Sequence, residues 1–569
     1  MSRILESKSI HIFTVLAIIG LATSHFFLIA RNAVDLPFAD DYHLLKIIIW
    51  AKEQHLNALQ TLREMAVQHN EHRIIFPRLY TFIDYWIEGR INWLTLTWLA
   101  DLTVLGFLAL FYRSFRQLHL PLIFFLPVAL FLFQPQSYDS LTWTISILQQ
   151  YCVFFWLFLL AVFITKPSKA AFAGALIVAV IAVFTHGNGI LGFAWGTVVL
   201  VLQRRWKPLG IWLAALAVVS FFYFGFGYTK GQNGDAAGSL ADPVRFVGGI
   251  FVFCGAFADV FQRGKFLLPV AVGAVMVCFL TAVNLRSVWN AWQPANRDSV
   301  WQRYVSSDRL FLMGCFVILL ATGFLTSLFR SWGGLQALIQ VRYQHMSAFV
   351  FILFYLTLLH FLGRKAQSWA LIGCLVLGAA FWILSTSTFS QHLDFRRKSQ
   401  WADAFNWRYN STFVQYPASF NRNIRDTYNT AIRWGVCPLP TTPFHALEAQ
   451  LAGPTLAVDS SLRLRVDSSE YVIQEPVAQL TFRQYDLLSA EGEGDNYVIL
   501  KSPRHTYLVG TWQSRRTWRE LIRSGRYFGR GFYGSVLTDP LAPGTYRLGV
   551  LNWANGQGSV RFSNQTITR

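Results

Sequence analysis

The chain has 569 residues, 54% of them hydrophobic and 16% aromatic, and only 14% are charged, where an ordinary soluble protein has about a quarter. Its apolar runs recur along the sequence, which excludes a soluble globular enzyme and also a protein held by a single anchor or a cleavable signal. The formal charge of +19 is dispersed as short basic clusters between those runs, so it reads as a positive-inside pattern with membrane lipid as a partner, not as a nucleic-acid surface.

Apolar runs near 10–30, 92–112, 121–134, 148–165, 170–185, 188–203, 209–227, 266–285, 310–328, 345–363 and 368–388 predict about eleven transmembrane helices. The loops carrying Arg113 and Arg116, Lys166 and Lys169, Arg204, Arg205 and Lys207, and Arg364 and Lys365 then face the cytoplasm. The loop 31–91, the turns around 135–147 and 185–189, and the stretches 228–246 and 329–344 fall on the outer side. Segment 246–261 reads as a half-inserted helix, because a full crossing would invert everything after it and place the basic stretch 363–365 outside.

In chain order, the first polar concentration is 35–78, which reads D-L-P-F-A-D-D-Y-H and later Q-H-N-E-H-R-I-I-F-P-R. Asp40 and Asp41 lie about ten residues beyond the first span. A carboxylate there can serve as general base toward a hydroxyl, or hold a divalent cation (Mg or Mn) that bridges phosphates. The same pair suits the N-cap and acidic first turn of a helix over 42–65, which on sequence alone is the commoner role for such a pair. His69, Asn70, Glu71, His72 and Arg73, with Arg78 close behind, form a compact polar set able to bind a sugar or an anionic phosphate; a plain solvated loop is the other reading, against which the adjoining apolar Ile74, Ile75 and Phe76 would pin the run to the membrane domain.

Further along, 136–150 brings Tyr138, Asp139, Trp143, Gln149 and Gln150 to the outer mouth of a span. Polar groups at membrane depth are costly and face either a cavity or a neighbouring helix, which leaves Gln149 both readings. The H-G-N-G run at 186–189 marks a tight outer turn in which Asn188 can meet a substrate, and a plain helix hairpin explains it as well. At 341–345, V-R-Y-Q-H opens a late span with Arg342 and Tyr343; the planar fork of Arg342 suits a lipid phosphate, and equally an anchor in the headgroups.

After about residue 389 the composition changes. Aromatic and polar residues at helical spacing over 395–435, then alternation between turn signals over 455–569, predict a separate soluble α+β, mostly β, domain with strands near 462–466, 497–500, 506–509 and 545–550. The predicted architecture is a polytopic α-helical membrane domain over 1–388 and an extracytoplasmic domain over 389–569. The six cysteines show neither a disulfide framework nor metal-type spacing.

Taken together, Asp40 and Asp41 in F-A-D-D-Y, the W-T-I-S-I-L-Q-Q segment, the H-G-N-G turn and the pair Arg342 and Tyr343 resemble the polytopic C-type glycosyltransferase (GT-C) superfamily, which uses polyprenyl-phosphate-linked sugars. The resemblance covers roughly residues 1–390 as an architecture, on motifs that are each short. It implies transfer of a sugar from a polyprenyl-phosphate donor to a glycan or lipid-linked acceptor, with inversion, on the outer face of a bacterial inner membrane. In that reading Asp40 or Asp41 is the general base, Arg342 with Arg73 or Arg78 holds the departing phosphate, and Asn70, Glu71, His72 and Arg73 shape the sugar or acceptor pocket. Metal dependence stays open. The chain departs from the oligosaccharyltransferases in having no W-W-D run, and it has no D-x-D signature in the right context. Two other classes remain: a transporter or flippase for a lipid-linked glycan, which calls for inverted repeats and ionisable groups at mid-span, neither of which is evident because the charges concentrate at one face, and a glycan-binding membrane scaffold without enzymatic activity.

Overall fold

An apolar run in which no turn residue intervenes satisfies its own backbone only as a helix, and that is how these runs fold. The computed structural model describes residues 5–229, 231, 234–262, 264–292, 309–453, 458–472, 476–484, 494–525 and 527–569. Among them eight helices are long and apolar enough to cross a membrane: Lys8–Asn32, Trp93–Arg116, Thr144–Ile164, Trp206–Phe224, Leu267–Trp289, Leu310–Gly333, Val341–Phe361 and Arg364–Asn410. The predicted spans at 121–134, 170–185 and 188–203 correspond to the shorter apolar helices Leu122–Leu132, Lys169–Val183 and Gly187–Leu202. Segment 246–261 overlaps helix Pro243–Gly255, whose 13 residues fall short of the roughly 20 that a crossing needs. Residues 293–308 lie outside the described residues, so most of the basic loop 286–309 does too.

The chain divides into two compact units, the first comprising Met1–Ile29, Leu56–Thr81 and Thr95–Phe389, the second Ala30–His55, Phe82–Leu94 and Ser390–Arg569. The predicted outer loop 31–91 is therefore split between the units. Nor does one helix run over 42–65. Helix Tyr42–Glu53 ends at Gln54, His55 follows at φ +47°, and helix Ala58–Met65 starts afresh under a capping box made by Asn57 and Gln60.

In the first unit the innermost helices are Val341–Phe361 and Thr144–Ile164, with 78% and 72% of their apolar windows buried, against 17% for Lys8–Asn32. Helices without a hydrophobic drive between them associate by close packing, and small residues admit large ones. A Cβ at Gly196 would lie 2.3 Å from the Trp212 indole, and one at Gly314 would lie 2.4 Å from that of Trp195. Phe107, Phe158 and Phe349 close the centre, with Phe107 and Phe349 centroids 4.5 Å apart.

The second unit is built on a seven-stranded antiparallel sheet: β1 (Arg465–Val472), β2 (Pro476–Gln484), β3 (Asp495–Lys501), β4 (Thr506–Arg515), β5 (Phe528–Leu537), β6 (Thr545–Ala554) and β7 (Gln557–Thr568), in the order β1-β2-β5-β4-β3-β6-β7. The interior strand β3, between β4 and β6, is buried on both faces. Val498 and Leu500 join one core with Tyr507, Val509 and Leu548, while Tyr497 and Ile499 join the other with Phe405, Phe444 and Leu508. The helix predicted to end near 388 runs unbroken over Arg364–Asn410, and its last turns lie on this sheet. There Arg397 donates to both carboxylate oxygens of Asp495 at 2.5 and 2.7 Å. The first half of β4 pairs with β3, and β5 joins β4 only from Thr511 onward. Asn406 takes the place of the missing strand: its Nδ2 donates to the Leu508 carbonyl at 2.7 Å and its Oδ1 accepts the Leu508 N–H at 2.8 Å.

Candidate functional site

The structure sorts the predicted site residues into two groups. His69, Asn70, Glu71, His72, Arg73, Arg78, Trp143, Gln149, Asn188, Arg342 and Tyr343 belong to the first unit; Asp40 and Asp41 belong to the second.

In the first unit, His69 and His72 exchange backbone hydrogen bonds of 2.7 and 2.9 Å across a tight turn with Asn70 at φ +48°. Arg73 fastens this turn. Its Nε donates to the Tyr223 carbonyl at 2.6 Å, one terminal nitrogen to Ala66 O at 2.5 Å, and the other to Phe226 O. Arg78 donates to the carbonyls of Met65, at 2.8 Å, and of Val67. Both side chains are buried; Arg73 directs its three guanidinium nitrogens at main-chain carbonyls, whereas Arg78 so engages one terminal nitrogen and its buried Nε has no hydrogen-bond partner among the described residues. The Glu71 carbonyl accepts from the Tyr228 hydroxyl at 3.2 Å, and the Glu71 side chain lies against Gly231, where a Cβ would meet it at 2.2 Å.

The fastened turn sets the His72 ring against that of His186, with centroids 3.8 Å apart. Gly187 permits the approach, since a Cβ there would lie 2.8 Å from His72 Nδ1. His186 Nδ1 accepts the Asn188 N–H at 3.2 Å, so Asn188 helps orient the ring of His186. Burial pushes His72 down to about 4, and it pushes His186 well below the ordinary histidine range, helped by His72 and by the charge of Arg342. Both imidazoles are neutral at neutral pH.

Arg342 thus lies within electrostatic reach of the histidine pair, its guanidinium 5.1 Å from the Tyr343 ring. The turn Val341–Tyr343 packs beside the short helix Tyr138–Leu141. Next along the chain, Ile147–Tyr151 forms a π-helical turn, and the Tyr151 ring stacks on His345 at 4.2 Å while its hydroxyl meets Ser137 Oγ at 2.6 Å. Trp143 stands in extended backbone at the N-cap position of the short helix Thr144–Ser146, without a capping bond from its side chain. The 136–150 and 341–345 segments are therefore neighbours. Gln149 Nε2 and Arg342 Nε are both buried with no hydrogen-bond partner among the described residues, a costly arrangement for two polar groups.

In the second unit the Asp pair is divided by geometry. Asp41 is buried, and its Oδ2 accepts the Phe38 N–H at 2.9 Å, closing the turn before helix Tyr42–Glu53. Asp40 is half-buried; its carbonyl accepts the Tyr42 N–H, while its carboxylate makes no hydrogen bond or ion pair among the described residues, and it follows Ala39, held at φ +46° where a residue with a Cβ is strained. The Arg396 guanidinium lies 3.8 Å over the Phe38 ring. Tyr416 bonds to the Ala39 backbone, and its hydroxyl is raised well above the ordinary range, first by burial. Asp403 is also buried beside Tyr42 and Tyr416. Sequence reasoning missed Arg396, Tyr416 and Asp403. The R-R-K run 396–398 was the available signal, hidden by placing a domain boundary inside the helix that carries it.

Among the described residues no three His, Cys, Asp or Glu side chains are grouped so as to hold a metal ion, and Asp41 is already engaged, so no chemical step is assigned to Mg or Mn. Comparison with family models, with curated proteins and with solved structures gave no match.

Proposed function

We propose that the chain is a multi-pass membrane glycosyltransferase of the C-type superfamily, which transfers a sugar from a polyprenyl phosphate to a glycan or lipid-linked acceptor on the outer face of a bacterial inner membrane. Eight long apolar helices support the membrane assignment, and the contrast between Asp40 and Asp41 carries the chemistry. Asp41 holds the turn; Asp40 is the free carboxylate beside it. In this reading Asp40 takes the proton of the acceptor hydroxyl as its oxygen attacks the anomeric carbon. The bond from that carbon to the phosphate oxygen breaks with inversion, and the polyprenyl phosphate leaves with the electron pair. Arg396, in the same unit, supplies positive charge near the Phe38 turn.

The test is sugar transfer by purified protein in lipid nanodiscs, offered a panel of radiolabelled polyprenyl-phosphate sugars with a lipid-linked glycan acceptor. Asp40→Asn should abolish transfer without lowering thermal stability, and Asp41→Asn should lower stability. Full transfer by Asp40→Asn overturns the assignment.

One observation favours the transporter reading. Asp101, inside the apolar helix Trp93–Arg116, is fully buried with both carboxylate oxygens lacking hydrogen-bond partners among the described residues. Buried ionisable groups at membrane depth commonly mark a transport path. Loss of lipid-linked glycan translocation in Asp101→Asn, with no transferase activity in the parent protein, would favour it.

A further inference from the structure

Between β4 and β5 the sequence from Arg515 to Arg530 carries six arginines and a single acidic residue, Glu520. Helix Trp518–Ser524 forms in this excursion, started by a capping box in which the Thr517 N–H and hydroxyl both donate to Glu520 Oε2 at 2.9 Å. The one acid is thus engaged at the helix start. Gly525, at φ +63°, ends the helix. Nothing in this helix is buried: Trp518 is 50% exposed and Ile522, four residues on and so on the same face, is 82% exposed. Arg519 and Arg523, also four apart, flank that face and are exposed, with no hydrogen bond or ion pair among the described residues. Arg516, by contrast, is tied back to the sheet by a 2.8 Å bond from its Nε to the Phe528 carbonyl, which holds the base of the excursion in place.

An exposed aromatic and a large aliphatic side chain on one stripe, bordered by arginines, are costly in water and suit an interface that offers negative charge above and hydrocarbon below. We propose that helix Trp518–Ser524 docks the second unit on a bilayer surface rich in anionic phospholipid, with Trp518 and Ile522 entering the headgroup boundary and Arg519 and Arg523 meeting phosphates. Two observations select this occupant. The excess of arginine over acid calls for an anionic partner, and the unit follows in the chain from helix Arg364–Asn410, which is itself apolar enough to enter a bilayer. The inference rests on the apolar helices being membrane spans and is independent of sugar transfer.

The experiment is hydrogen–deuterium exchange on the full chain in nanodiscs of pure phosphatidylcholine and of phosphatidylcholine with phosphatidylglycerol. Amides of 517–525 should exchange several-fold more slowly in the anionic discs, since each arginine at such a surface changes partitioning roughly fivefold. Arg519→Glu with Arg523→Glu should remove the difference, and Trp518→Ser with Ile522→Ser should reduce it, while amides of β3 stay protected as the control for folding. Equal exchange in both discs overturns the proposal. So does protection that appears only on adding an acidic polysaccharide to phosphatidylcholine discs, which would make the surface a glycan site. Failure to enter nanodiscs at all would instead refute the membrane spans.

Discussion

His72 and His186 lie ring against ring, centroids 3.8 Å apart, although 114 positions separate them and only a glycine at 187 allows the contact. An alanine at Gly187 would place its Cβ 2.8 Å from His72 Nδ1 and 3.1 Å from the Tyr223 hydroxyl. Gly187→Ala should cost about 1–3 kcal/mol by overpacking. Thermal unfolding checks this, and His72→Ala in the same chain should recover most of the loss, because the two substitutions share one contact.

The same pair makes stability depend on pH. His72 is held down to about 4 by burial, below its ordinary 6.5, so between those values the unfolded chain binds more protons than the folded one. Stability should therefore be full above about pH 6.5 and fall as the pH drops toward 4, by on the order of 3 kcal/mol from this group. His72→Phe should flatten part of that slope in unfolding curves recorded across the window. An unchanged slope would refute the assignment to this side chain.

Arg73 offers a test of structure against ligand binding. Because its fork is directed at three carbonyls, Arg73→Lys cannot reproduce the geometry, and Arg73→Ala leaves buried acceptors unmet. Each should open the turn at 68–73 to limited proteolysis, with a loss of roughly 2–4 kcal/mol for the alanine variant. Normal proteolytic resistance would return Arg73 to the list of ligand contacts.

At Ala39 the backbone is already in the left-handed region, so Ala39→Gly should be neutral or stabilising by up to ~1 kcal/mol, whereas Ala39→Val should destabilise. Should both behave alike in thermal unfolding, the strain beside Asp40 is not real.

In the second unit, Asn406→Ala should cost about 2–4 kcal/mol, since it strips both the N–H and the carbonyl of Leu508 of their partner in a buried setting. Asn406→Asp keeps the acceptor but sets a buried carboxylate oxygen against the Leu508 carbonyl, and should cost at least as much as the alanine variant in chemical denaturation at neutral pH.

Much of the architecture was legible in the sequence because it depends on local pattern. Long apolar runs became helices, and the alternating stretches at 497–500, 506–509 and 545–550 lie within β3, β4 and β6. Local signals also misled. Nothing in 42–65 announced a break, yet Asn57 could cap a new helix and so one formed; nothing near 388 stopped the helix that continues to Asn410.

The sequence by itself determined which long segments are apolar and helical, where most of the alternating strands fall, and which polar residues stand out against them, since these follow from composition and period; the structure reduced about eleven predicted spans to eight helices long enough for a bilayer among the described residues. Only the tertiary structure decided what those residues do, because each depends on a partner far away in the chain. It directed Arg73 to Tyr223 and Phe226, set His72 against His186 within reach of Arg342, and brought Arg396 over Phe38. Asp40 and Asp41 are chemically identical neighbours in the sequence, and burial of Asp41 with the hydrogen bond it accepts from the Phe38 N–H sets it apart from half-buried Asp40.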